Sequence, residues 1–283
     1  MSDTTGPTNI KSSSKSDEFF WRENFEEFSP EQVERYHRGV TKNPFNDMLY
    51  DPLIISLIGS IVDETKPLRI LDAGGGTGKW AVYFARNGHQ VTLLDVAEPM
   101  LEKARDVVKE AGVSHLVDIQ QGTISKLQFD DNSFDIVFSD RNPISHAGGC
   151  AASYLAIQEL ARVLKQGGNF IASVLNKHRK AAQLVSELDL ERTASFLLSG
   201  ELKRSATDIS YYYTRSELKT CLESAGLSVK TIHGTTIFAE WITTAWLLNE
   251  EIIEKLYNLE RLAREEPELS NYGVRLHFVA QKN

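Results

Sequence analysis

Residues 69–95 read RILDAGGGTGKWAVYFARNGHQVTLLD, with four glycines in the five positions 74–78 between two short apolar runs. A run such as "PLRILDAG", short, largely apolar and stopped by glycines, has the pattern of a strand buried on both faces of a parallel sheet. "KWAVYFARNG" is helical and closes on Gly88, and "QVTLLD" is the next strand. In such sheets ligands sit beyond the carboxyl ends of the strands. Glycine there permits positive φ and lets a ligand approach the main chain with no Cβ in the way. The dinucleotide-binding form G-x-G-x-x-G is not met, because Lys79 occupies its third glycine position. The pattern is instead Asp72-x-Gly74-x-Gly76-x-Gly78. Asp95 falls 21 residues after Gly74, where a carboxylate can accept from both hydroxyls of a ribose. No Gly-Lys-Ser/Thr follows, which argues against a phosphate-binding Walker loop.

The same rhythm continues outward. "PMLEKARDVVKEAG" is a helix with Pro99 near its start and Gly112 past its end, while "VDIQQG", "FDIVFSD" and "GNFIASVL" are strand candidates. The last of these follows the helix "YLAIQELARVLKQGG". Strands alternating with helices of this length indicate βαβ units and an open parallel sheet. After Asn176 a long helical insertion breaks the alternation; "YTRSELKTCLESAG" is then a helix capped at Thr214, and "LSVKTIHG" and "GVRLHFVAQK" are strands. Before the sheet, "SPEQVERYHRGV" and "DMLYDPLIISLIGSIV" have helical spacing, with Ser29 as N-cap and Pro30 just inside.

The chain has 283 residues, 41% of them hydrophobic, and a net charge of −8. That balance speaks against a broad nucleic-acid or anionic-membrane footprint. Cys150 and Cys221 are too few and too far apart for a disulfide framework or metal site. The opening "MSDTTGPTNIKSSSKSD" has no apolar core and reads as a disordered tail. The expected organisation is a tail over 1–17, a helical cap segment over 18–66 and a ligand-binding domain over 67–283, with helical insertions near 177–213 and 238–268. A cytoplasmic protein with no membrane span is the corresponding expectation.

From Leu68 to Val174 these motifs resemble the class I S-adenosylmethionine (SAM)-dependent methyltransferases closely, and the last two strands resemble them loosely. "ILDAGGGTGKWA", "VTLLDVAEPMLEKAR", "QQGTISKLQFDDNSFDIVFSD" and "ARVLKQGGNFIAS" carry the likeness. It implies an α/β, doubly wound, mostly parallel seven-stranded Rossmann-like sheet with an antiparallel last strand and helical cap elements. It also implies SAM as cofactor and no metal. Asp72 with Gly74, Gly76 and Gly78 would hold the methionine part, Asp95 the ribose, and Val96 and Met100 would flank the adenine. Gly122, Thr123 and Ile124 would face the adenine edge, although the family often has an acid where this chain has Thr123. Asp140 and Tyr36 complete the expected cofactor set, Tyr36 with Phe45 as part of a lid.

Methyl transfer is an in-line displacement that depends on holding nucleophile and methyl together, and it needs a general base only if the acceptor arrives protonated. The loop "SDRNPISH" leaves the fourth strand above the expected methionine position and crowds Asp140, Arg141, Asn142, Ser145 and His146 together. Asn142 and Arg141 are the leading catalytic candidates, with His146 as a possible base and Tyr213 of "YYYT" as a ring over the pocket. Relatives often carry an arginine near "TKNPFND" for the SAM carboxylate; Asn46 stands there instead, leaving Arg141 or Arg38 for that role. Trp241 and Trp246 read as core anchors.

The function so indicated is methyl transfer to a small polar metabolite. Alternatives are a SAM-consuming cyclase that forms azetidine-2-carboxylate and methylthioadenosine, or a non-catalytic SAM-binding module. A third is a relative of tRNA wobble-uridine carboxyl methyltransferases, suggested by the tail "LERLAREEPELSNYGVRLHFVAQK".

Overall fold

The computed structural model describes residues 28–43, 45–62, 66–203, 208–242 and 249–283. The expected tail, the first part of the cap segment and Trp246 lie outside these residues. Helix α1 (Pro30–Thr41) starts as its sequence requires: the Ser29 hydroxyl accepts the Gln32 N–H and the Gln32 side chain accepts the Ser29 N–H. A π-helical turn (Asn46–Tyr50) runs into α2 (Asp51–Gly59).

The alternating body follows, with β1 (Arg69–Ala73), α3 (Lys79–Arg86), β2 (Gln90–Asp95), α4 (Glu98–Glu110) and β3 (Val117–Gln121). Next come β4 (Phe134–Ser139), α5 (Cys150–Val163) and β5 (Leu164–Leu175). Helices α6 (Lys177–Ser186) and α7 (Leu190–Ser199) precede a small hairpin of β6 (Glu201–Lys203) and β7 (Ile209–Tyr211). Helix α8 (Arg215–Ser224), β8 (Leu227–Thr235), α9 (Glu250–Glu265), α10 (Pro267–Ser270) and β9 (Arg275–Lys282) complete the chain.

Seven strands form one sheet in the order β3-β2-β1-β4-β5-β9-β8, and β9 runs antiparallel to both of its neighbours. The chain steps outward from β1 through β2 to β3, then returns to β4 on the other side of β1. This is the switch point at which a crevice opens above the strand ends. Period-two alternation sends Ile70, Ile136 and Phe138 to the face covered by Trp80 and Phe84, and Leu71, Val137 and Phe170 to the face covered by α5 and α8.

Three local expectations need correction. "KQGG" is not the end of α5, because β5 already begins at Leu164. A Cβ on Gly168 would lie 2.8 Å from the Asp135 carbonyl oxygen, so glycine serves a bulged, close strand pairing there rather than a helix cap. The insertion near 177–213 is not wholly helical, since it includes the β6–β7 hairpin, whose three-residue strands are too short to show a period. Trp241 is 66% exposed and carries the Arg179 guanidinium 4.6 Å from its ring centroid, so it is a surface platform and not a core anchor. What ties its segment to the body is buried Glu260 of α9, which accepts the N–H groups of Ile237, Phe238 and Ala239.

Candidate cofactor and active site

The loop from Asp72 to Gly78 turns between β1 and α3 with Gly74, Gly76 and Gly78 all at positive φ. The reasons differ by position. A Cβ on Gly74 would lie 2.3 Å from Cγ of Pro143, so this glycine admits the neighbouring loop and not a ligand. On Gly76 it would meet nothing closer than the Tyr36 ring at 3.7 Å. Gly74→Ala should therefore cost about 2–4 kcal/mol, from left-handed backbone plus overpacking, and Gly76→Ala only about 1–2 kcal/mol. Denaturant midpoints of the two variants check this, and a milder Gly74→Ala would contradict it.

Asp95 accepts the Gly76 N–H at 2.9 Å and the Ala97 N–H at 3.0 Å. It thus braces the glycine loop and the entry to α4 before any ligand is considered. The Gly122 N–H donates to the Asp95 carbonyl at 2.9 Å, which brings the end of β3 alongside. Val96 is exposed there, whereas Met100 is buried with Ala97 under Phe28 and Val33 of the α1 region. Ile124 is buried, and exposed Thr123 bonds the Ser125 hydroxyl at 2.9 Å.

Asp72 is buried and its Oδ2 has no hydrogen-bond partner. Burial first, and then the like charges of Asp140 and Asp95, push its pKa up to about 8 despite a hydrogen bond from the Ala81 N–H. Opposite stands Asp140, the most heavily bonded side chain of the site. Its Oδ1 accepts from the Tyr50 hydroxyl (2.7 Å), His277 Nε2 (3.0 Å) and the Ser173 hydroxyl (3.2 Å), and its Oδ2 from the Trp80 indole (3.0 Å). Burial alone would raise this carboxyl, but the His277 hydrogen bond, the nearby Arg141 charge and Tyr50 hold it well below the usual carboxylate range. Burial keeps His277 neutral by lowering its pKa, so Nε2–H donates to Asp140 and Nδ1 accepts from the Thr235 hydroxyl at 2.9 Å.

Arg141 and Asn142 are consecutive residues at φ 62° and 69°, with Asn142 followed directly by a proline. Left-handed backbone at non-glycine residues costs on the order of 1–3 kcal/mol each and gathers at functional sites. Here the double turn lays the Arg141 guanidinium 4.6 Å from the Tyr50 ring centroid and within 2.8 Å of Asn46 Oδ1. Arg38, by contrast, is exposed and paired with Glu34 one helical turn away. Asn142 Oδ1 is buried without a partner. Lys79 is tied to Asp51 and to the Val40 carbonyl.

Asp72, Gly74, Tyr36, Trp80, Asp140 and Arg141 line one cleft. The space left among them is about 20 Å³, room for a water molecule and far below that of a ligand pocket. The polar groups do fit the methionine end of SAM: an unpartnered buried carboxylate for the ammonium, a guanidinium for the carboxylate, and Asp95 at the next strand end for the ribose.

Two expected participants are elsewhere. His146 turns away toward β7, with Nδ1 3.0 Å from the Ser210 hydroxyl. Tyr213 is 0% exposed, its hydroxyl 2.7 Å from that of Ser153 and its ring packed against Tyr154 and Tyr211 in the core. Phe45 packs with Leu49 and Leu53 and does not cover the cleft. Tyr50, Trp80, Ser173 and His277 were missed as site residues. None carried a clear signal; even His277 alternates with Arg275 and Gln281, on the face of the last strand that reads as polar.

A class I SAM-dependent methyltransferase is what this sheet order and this strand-end constellation define, and the chain belongs to that family. A family model described as a methyltransferase domain matches residues 70–168. The chain is 33% identical over 183 residues to a ubiquinone/menaquinone biosynthesis C-methyltransferase of Pseudomonas entomophila, covering 59% of this chain and 68% of that protein. It is 29% identical over 166 residues to a glycine/sarcosine/dimethylglycine N-methyltransferase of Actinopolyspora halophila. That match covers 56% of this chain but only 29% of the longer relative. A SAM-dependent methyltransferase structure from Methanosarcina mazei superposes with a TM-score of 0.57 at 19% identity, covering 80% of this chain and 96% of the other. At that identity the likeness speaks for the fold alone. No described helix is long and apolar enough to cross a membrane, and no described cluster of His, Cys, Asp and Glu would hold a metal.

Proposed function

We propose that this chain binds SAM in the cleft and directs its methyl group to a small polar molecule. The observation that carries the reading is Asp72 Oδ2, a buried carboxyl oxygen without a partner, in a cleft that the glycine loop and Arg141 also line. A zwitterionic amino acid end supplies what both groups lack. Bound there, SAM supplies an electrophilic methyl on a cationic sulfur.

The residues of the chain would then act mainly by position. Asp72 would accept from the ammonium, Arg141 would donate to the carboxylate, and Asp95 would accept from the ribose hydroxyls through the lone pairs left open by the Gly76 and Ala97 N–H groups. Asp140 is held rigid and ionised by its four donors and keeps negative charge near the cationic sulfur. Trp80 and Tyr50 are fixed by their bonds to it and help exclude water. His146 and Tyr213 have no part in this reading, so no side-chain base is assigned. An acceptor that arrives deprotonated needs none.

Arg141→Met tests the assignment. It should raise the dissociation constant for SAM by about 10- to 100-fold, the loss expected when a charge-assisted bidentate contact is removed. Arg141→Lys should recover only part of that loss. Titration calorimetry reads both, and wild-type affinity in the methionine variant would overturn the role of Arg141.

A further inference from the structure

A second guanidinium lies against the same tyrosine ring. Arg275 opens β9 with its guanidinium carbon 5.4 Å from the Tyr50 centroid, on the same strand face as His277 and at the same end of the sheet as the glycine loop. Its Nε is buried without a hydrogen-bond partner, and its guanidinium makes no ion pair among the described residues. Asp140, which shares Tyr50 and His277 with it, is already engaged by four donors.

We infer that Arg275 anchors a carboxylate of the methyl acceptor, so that the substrate class is small carboxylic acids. The inference rests on the SAM reading above. In that reading the amino acid end of SAM is matched within the site, its ammonium by Asp72 and its carboxylate by Arg141. With ionised Asp140 beside the sulfonium, Arg275 then remains as a half-buried cation with no counter-charge. A neutral or cationic acceptor leaves it uncompensated, at a desolvation cost that an anion removes. The planar fork of an arginine also matches a carboxylate with two parallel bonds. An acid whose carboxylate oxygen is itself the nucleophile would arrive deprotonated at neutral pH, which agrees with a site that offers no side-chain base.

The test uses the full chain saturated with S-adenosylhomocysteine and titrated with matched pairs: glycine and glycinamide, hexanoate and hexanamide, 3-phenylpropionate and its amide. At least one acid should bind about 10- to 100-fold more tightly than its amide, the range for hydrogen bonds to a charged group. That preference should vanish in Arg275→Gln and persist in part in Arg275→Lys, while the affinity for S-adenosylhomocysteine stays unchanged in both. Equal binding of acid and amide in every pair, including no binding at all, overturns the inference, as does a preference that survives Arg275→Gln. Failure of the wild-type chain to bind S-adenosylhomocysteine is a separate result, and it removes the cofactor reading itself.

Discussion

Asp140→Ala should lower the folding stability by about 3–5 kcal/mol, the usual cost of removing one partner from a buried charged network. Four donors lose their acceptor at once: the Tyr50 hydroxyl, the Trp80 indole, the Ser173 hydroxyl and His277 Nε2. They arrive from the π-helical turn, α3, β5 and β9, so the carboxylate joins the cap to the sheet across much of the sequence. A buried donor left without a partner keeps its full desolvation penalty. Ser173 also donates to Asp140 while accepting the Asn142 N–H at 3.1 Å, so the strained Arg141–Asn142 turn should loosen as well. Denaturant unfolding with an unchanged m value is the measurement. A loss below about 1 kcal/mol would mean that the four bonds are individually dispensable.

Asp72→Asn should separate ligand binding from stability. Loss of the charge opposite the ammonium should raise the dissociation constant for SAM by about 100-fold or more, on the scale of breaking a buried ion pair. The ligand-free protein should respond in the opposite sense. A carboxyl whose folded pKa is about 8 binds more protons in the folded chain than in the unfolded one between the ordinary carboxylate range and pH 8. Its contribution therefore makes stability fall as pH rises through that window and level off above it. The asparagine variant should lack that component. An incoming ammonium favours the ionised form, so at pH 7 SAM binding should release roughly one proton, and affinity should climb as pH rises toward 8. Calorimetry in two buffers of different ionisation enthalpy reads the released proton. The same observed enthalpy in both buffers would place the Asp72 proton elsewhere.

The sequence made the start of the sheet legible because β1 and β2 are each followed by a helix whose period is clear, with glycine in the connecting turns. The cofactor end was legible for the same local reason: Asp72, the glycines and Asp95 lie on adjacent strand ends within one βαβ unit. The acceptor side was harder to read. Asp140 meets His277 across 137 positions and Tyr50 across 90, and no short spacing encodes such a meeting. Tyr213 and Trp241 were misjudged because one aromatic residue reads alike whether it packs inward or stacks on an arginine outside. The Arg141 turn could be flagged as unusually polar, but its left-handed pair of residues and its reach to Asn46 required the fold. That contact favours Arg141 over Arg38 for the proposed role, since Arg38 faces solvent on α1.

Asp72, with one buried carboxyl oxygen left without a partner, and the stacked Arg141 form the proposed receptor for the amino acid end of SAM. Titration calorimetry of SAM into the wild-type chain and into Asp72→Asn, at pH 8, tests it most directly. The expected result is a single site in the wild type and a dissociation constant about 100-fold or more higher in the variant, with the variant still folded. Absence of binding to the wild type, or equal binding by the two chains, would contradict it.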